Sequence, residues 1–268
     1  MFNFNNITPT VRNLLLVNLA CFLAQENIRL NPSITQLGSL YPLGSMFFHF
    51  WQFFTYMFLH GSWGHIFSNM LGLLVFGPML EQRWGGQRFL AFWLMCGVGA
   101  GVLYQGVRAY DTYKLETAYT EYRANPDAYE YDHFMDLSGF RNPNDQAAAQ
   151  ALARNPKDAP LRDAMKQRIA NIHEAMQTEP IGGMLGASGA LFGVLFAFAY
   201  LFPNTELLLY FAIPVKAKYF VLGYGLLELY QGVHQAPGDN VAHFAHLGGL
   251  LIGFIILKFW EGGRTRFY

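Results

Sequence analysis

The chain has 268 residues, 53% of them hydrophobic and only 13% charged, with Lys+Arg and Asp+Glu at 18 each. A soluble domain carries about 25% charged residues, so this composition excludes an ordinary soluble globule, and zero net charge without a basic cluster excludes a nucleic-acid partner. Nine of the 18 basic and 12 of the 18 acidic residues lie between positions 108 and 179, which marks a membrane protein carrying one polar insert. Cys21 and Cys96 both lie in apolar stretches, so no disulfide framework is expected. The start, Met1 to Asn6, lacks the basic residues and small-residue cleavage site of a signal peptide, so the first apolar segment is expected to be retained.

A membrane helix needs roughly 17–25 mostly apolar residues, and six segments qualify: about 12–29, 65–81, 88–107, 186–202, 217–233 and 241–260. Asn18 and Glu26 weaken the first; the fifth is short and carries Glu228 near one end. The stretch 30–64 is too aromatic and too broken to span. Trp51, Phe53, Phe54, Tyr56 and Phe58 suit a piece lying in the membrane interface. The expected architecture is an all-α polytopic membrane protein, with residues 1–107 giving helices 1–3, an extracytoplasmic polar insert at 108–182, and 183–268 giving helices 4–6. On one side lie Arg12, Arg83, Arg88, Lys216, Lys218, Lys258, Arg264 and Arg266, against Arg29 on the other, so the positive-inside rule puts both termini in the cytoplasm.

Segments 2, 4 and 6 then all start from the outer face. Segment 2 opens with His65 and Asn69, which share a helix face at i and i+4. Segment 4 opens with Gly186, Ala187, Ser188 and Gly189, and segment 6 with His243, Phe244, Ala245 and His246. Three segments thus bring His65, Asn69, Ser188 and His246 to one depth. Gly189 and Gly193, and Gly249 and Gly253, have the small-residue spacing that lets membrane helices pack backbone to backbone. If those faces meet, Ser188 and His246 come within reach of each other.

A serine hydroxyl becomes nucleophilic when a neighbouring base takes its proton. The oxyanion that follows needs preorganised donors, and the free N–H groups at the start of segment 4, with His65 and Asn69, offer them. Among the intramembrane residues there is no aspartate to orient His246, so a Ser–His dyad is expected, with Phe192 holding the imidazole by ring packing. His60 and His243 read as partners of water at the mouth of the site. Singly, each feature has a structural reading: a packed helix end, an interfacial histidine, interhelical glue, a glycine seam. None of these readings predicts convergence from three segments. A transporter or channel would want polar groups through both leaflets, whereas 71–76, 195–201 and 250–259 are apolar.

The chain resembles the rhomboid family of intramembrane serine proteases. The resemblance rests on His60-Gly-Ser-Trp-Gly-His65-x-x-x-Asn69, Gly77-x-x-x-Glu81-x-x-x-Gly85, Gly186-Ala-Ser188-Gly189 and Ala245-His246-x-x-Gly249-x-x-x-Gly253. It implies a six-helix rhomboid-type bundle, with Ser188 as nucleophile and His246 as general base. It implies an oxyanion site made by His65, Asn69 and the Ser188 N–H, and no metal or cofactor. The substrates implied are membrane-spanning proteins cut near their outer boundary within the lipid bilayer, and the short fifth helix is implied as a gate for their lateral entry. A non-proteolytic rhomboid-like adaptor or quality-control protein is the alternative, against which the joint presence of Ser188 and His246 counts.

Two departures stand out. Phe192 occupies the place where some relatives carry a tyrosine. The insert 108–182 replaces a usually short loop; it is Tyr-rich at 110–131, broken at Asn142-Pro143 and Asn155-Pro156, and expected to be helical over 159–177. Leu161, Met165, Ile169, Ile172 and Met176 form an apolar stripe there, which must pack on its own small bundle, the membrane surface or a partner. Coming directly before Ser188, the insert is placed to contact substrate or a partner protein; a tolerated loop expansion is the plain alternative. Without a targeting presequence, a bacterial plasma membrane is the simplest expected location.

Overall fold

The computed structural model describes residues 7–209, 212–234 and 242–261. It divides into two units, one formed by 1–40, 49–104 and 183–268 and the other by 41–48 and 105–182. Arg264 and Arg266, part of the charge asymmetry above, lie outside the described residues.

The first unit holds the apolar helices. These are α1 (Pro9–Asn27), α4 (Trp63–Trp84), the first half of α5 (Gly86–Ala124), α9 (Ser188–Leu201), α10 (Ala217–His234) and α11 (His243–Glu261). By length and composition α4, α5 and α11 can cross a membrane, and α9 is a shorter apolar helix. Between α1 and α4 the chain makes two short helices, α2 (Ile34–Gly38) and α3 (Gln52–Thr55), and a 3-10 turn at Tyr56–Phe58. Phe50, Trp51 and Phe54 are exposed there. The all-helical expectation has one exception among the described residues, a two-stranded antiparallel hairpin of β1 (Glu206–Leu209) and β2 (Ile213–Lys216), with Glu206 opposite Lys216 and Leu209 opposite Ile213.

Two polar residues inside this unit find partners close by. Asn18, which weakens the first segment on paper, turns its amide back onto the Leu14 carbonyl at 2.8 Å. Glu81 of α4 accepts from the Thr10 and Val11 N–H groups at 2.8 Å each and from the Thr8 hydroxyl. It thereby supplies the acceptor that the first turn of α1 lacks and the negative charge that a helix N-terminus favours. A Cβ on Gly77 would stand 2.7 Å from Val11, and Gly85, at φ 80°, ends α4.

The second unit continues α5 and adds α6 (Ala128–Ser138), α7 (Pro143–Arg154) and α8 (Ala159–Thr178). Side chains cap all three added helices: Asp127 accepts from Glu130 N–H, Asn142 from Asn144 and Asp145 N–H, and Asp158 from Leu161 N–H. Met165, Ile169 and Ile172 are buried against Tyr122, Tyr131, Phe134, Met135 and Leu152, with Leu161 and Met176 at the edge. The apolar stripe of α8 therefore packs within its own small bundle. Asp145 sits in that bundle, accepting from the Tyr131 hydroxyl at 2.8 Å and from Arg168 Nε at 3.3 Å. Burial alone would raise its pKa, but the bonds from Arg168, Tyr131 and the Asn142 N–H outweigh it and hold the carboxyl below its ordinary value.

Candidate active site

The segment leading into α9 is fastened on its backbone. Leu40 and Met184 exchange two N–H···O bonds of 2.8 and 2.9 Å, and Gly186 N–H donates to the Tyr56 carbonyl at 2.9 Å. Tyr56 is itself fixed, because its buried hydroxyl donates to the Gly97 carbonyl at 2.7 Å. Gly186 has φ 129°, a conformation only glycine adopts freely. The chain then enters α9 at Ser188, preceded by Ala187, which provides no side-chain cap. The first N–H groups of the helix are thus left to whatever approaches Ser188.

Helices α9 and α11 meet along their glycines. A Cβ on Gly249 would stand 1.9 Å from the Gly189 carbonyl oxygen, and one on Gly253 3.1 Å from Gly193. The close approach brings Ser188 Oγ to 2.8 Å from His246 Nε2. Phe192, one turn after Ser188, lies flat on the imidazole with centroids 4.3 Å apart and planes at 7°.

The expectation of a bare Ser–His dyad is corrected, because a glutamate stands where no aspartate was found. Glu228 Oε2 lies 2.7 Å from His246 Nδ1 and 2.6 Å from His243 Nδ1. Glu228 and His243 are both buried, at 3% and 5% exposure, so His243 is tied into the site instead of wetted at its mouth. A carboxylate can only accept, so both Nδ1 atoms carry the proton in this arrangement. In the neutral imidazole His246 Nε2 is then the lone-pair nitrogen, placed to accept from the Ser188 hydroxyl. The three side chains are also the group among the described residues whose donor atoms, within 4.8 Å of one another, could hold a metal ion. Two ligands of a tetrahedral zinc, each about 2.0–2.1 Å from the ion, stand about 3.4 Å apart. Separations of 2.6 and 2.7 Å are those of N–H···O bonds instead.

His65 and Asn69 rise from the start of α4, where Ser62 caps the helix by accepting from His65 N–H. A Cβ on Gly186 would fall 2.8 Å from His65 Nε2 and 3.6 Å from Ser188 Oγ, so glycine there lets the His65 ring sit against the chain entering α9. Asn69 is buried and its Nδ2 has no hydrogen-bond partner among the described residues. An unsatisfied buried amide costs about 1–3 kcal/mol, which a ligand oxygen would recover. His60 packs edge-on to His65 at 5.1 Å; burial, and then His65, push its pKa down to about 4.

The geometry defines a class: a helical membrane protein with a serine, a histidine and a carboxylate joined inside its bundle. Comparison with known proteins specifies it further. The rhomboid-domain family model matches residues 48–117 and 167–260, more than half of the chain, and the chain belongs to the rhomboid family. It is 27% identical over 216 residues to the mitochondrial RHOMBOID-like protein 12 of Arabidopsis thaliana, covering 80% of this chain and 47% of that protein. An uncharacterized mitochondrial rhomboid protein of Schizosaccharomyces pombe is 25% identical over 219 residues, 79% of this chain and 52% of that one. The mitochondrial Rhomboid protein 1 of Saccharomyces cerevisiae is 39% identical over 90 residues, 32% of this chain and 26% of the relative. The chain spans about half the length of the first two relatives.

The mitochondrial names overturn the bacterial plasma membrane expected from the sequence. Placing the termini in a bacterial cytoplasm falls with it. Charge bias shows which segments share a side but not which membrane they border.

Proposed function

We propose that this chain is an intramembrane serine endopeptidase that cleaves membrane-spanning protein substrates. The observation that carries the reading is the 2.8 Å approach of Ser188 Oγ to His246 Nε2. Ser188 attacks the scissile carbonyl while His246 takes the hydroxyl proton. The C–N bond then breaks as His246 passes that proton to the leaving amine. Water, deprotonated by the same imidazole, releases the acyl group and restores the serine. The developing oxyanion is received by the open N–H at Ser188, by His65 and by the unpaired amide of Asn69. Gly186, Gly189, Gly249 and Gly253 hold these groups at contact distance.

The 14 residues of α9 extend about 21 Å, short of the roughly 30 Å hydrocarbon core. That supports a nucleophile recessed below one membrane face, where the end of a substrate helix would be met. A six-span topology fits the six apolar helices, and the relatives' names support a mitochondrial membrane. The test compares cleavage of a single-span substrate in liposomes by the unaltered chain, Ser188→Ala and His246→Ala. Cleavage by the first and silence of both variants is expected. If the unaltered chain is silent and Ser188 ignores a fluorophosphonate, a non-catalytic rhomboid-like adaptor replaces this reading.

A further inference from the structure

We infer that Glu228 is the positioning residue of this site, so that the hydrolytic unit is Ser188–His246–Glu228, steadied by His243, instead of a serine–histidine pair. The inference rests on the hydrolase reading and deepens it. A carboxylate buried to 3% exposure in a bundle of apolar helices costs several kcal/mol unless it is fully paired. Stability alone would favour a leucine there, as at the neighbouring positions 226, 227 and 229. Glu228 is paired twice, and both bonds come from α11: one oxygen accepts from His243 and His246, 2.6 and 2.7 Å away.

The arrangement does two things for His246. Accepting the Nδ1 proton excludes the tautomer that would aim an N–H at Ser188 and leave no base. The negative charge beside the ring also steadies the imidazolium that forms when the serine proton moves. Phe192 fixes the plane of the ring by stacking, and Glu228 fixes its rotation within that plane. His243 holds the carboxylate from one turn earlier on the same helix, so the acceptor cannot swing away from His246. The titratable groups facing His246 are Glu228 from α10, His243 from its own helix, Ser188 from α9 and His65 from α4.

The test uses the full chain in liposomes, with Glu228→Gln and Glu228→Asp beside the unaltered protein. Gln keeps the size but places an amide where one N–H must be accepted. Its kcat should fall by roughly 10²–10⁴-fold with KM unchanged, and fluorophosphonate labelling of Ser188 should slow in parallel. Asp, which keeps the charge on a shorter arm, should recover part of the loss. The low-field proton resonance of a histidine N–H bonded to a carboxylate should be present in the unaltered protein and in Asp, and absent in Gln. The inference is overturned if Gln keeps kcat within a few-fold, or if kcat falls only together with thermal stability while the resonance persists. Loss of cleavage by the unaltered protein on adding a chelator also overturns it, by assigning the three side chains to a metal. Silence of the unaltered chain towards both substrate and probe is a separate result, which removes the hydrolase reading while the resonance still reports on the Glu228 contact.

Discussion

The helix starts of the insert and the start of α9 are built on opposite plans. Helices α6, α7 and α8 each begin beneath an Asp or Asn side chain that closes the first N–H groups. Helix α9 begins beneath Ala187 and Ser188, and no side chain closes it. The packing differs in the same way. The insert fills its core with Tyr, Phe, Met and Leu, whereas α9 and α11 approach backbone to backbone at Gly189, Gly193, Gly249 and Gly253. The insert closes its helix starts with its own side chains; on the proposed reading, α9 has a negative oxygen to receive, so it leaves its first donors open and gives up side-chain packing to bring the reacting groups together.

The contrast can be broken most sharply at Gly249. Gly249→Val places a side chain where a Cβ already meets the Gly189 backbone at 1.9 Å. The α9–α11 seam must then open, and misplacing reacting groups by even 1 Å costs about 100-fold. Cleavage should be lost and thermal stability lowered, whereas Gly106→Ala, where a Cβ meets nothing within 4 Å, should leave both unchanged. Asn69→Ala removes an open donor and should lower kcat by roughly 10²–10³-fold with little change in thermal midpoint; a large drop in the midpoint would make the amide a structural strut instead.

Closing donors are the mirror case. Asp127→Ala should cost about 0.5–2 kcal/mol locally, read as faster amide hydrogen exchange in α6 with cleavage unaffected. The smallest effect concerns acidity. Asp145 has a folded pKa held below its ordinary value, so its contribution to stability is complete above that ordinary value. It is lost as pH falls from there through the folded pKa. Amide protection in α6–α8 should decline over that range, and Asp145→Asn should flatten the decline; an unchanged profile would remove Asp145 as its cause.

The legible parts of the fold were those governed by one-dimensional periodicity. Helices stand at the apolar segments that hydropathy marks, with α4, α5 and α11 long and apolar enough to cross a membrane, and the α8 stripe follows from its 3.6-residue spacing. What that stripe covers did not, because the partner residues Tyr122, Tyr131 and Phe134 lie on other helices of the insert. Within the site, Ser188, His246 and Phe192 were legible because glycine spacing and ring size announce close contact. Glu228 was missed although it could have been found. Depth groups the segments that start from one face, and Glu228 lies near the end of the fifth segment, which finishes at that same face. A lone carboxylate in an apolar helix is itself a signal for function. The fastening of Gly186 to Tyr56 uses backbone atoms, which leave no trace in side-chain identity. The choice of membrane was illegible for a different reason, since neither the opening residues, on which that expectation rested, nor charge bias names the organelle.

His246, His243 and Glu228 all belong to the last two helices, while Ser188, His65 and Asn69 come earlier in the chain. On the proposed hydrolase reading, a growing chain therefore carries its serine and its oxyanion donors before it has any base to arm them. No cleavage is possible on that reading until α11 is made and meets α9, so the order of the chain acts as its safety catch.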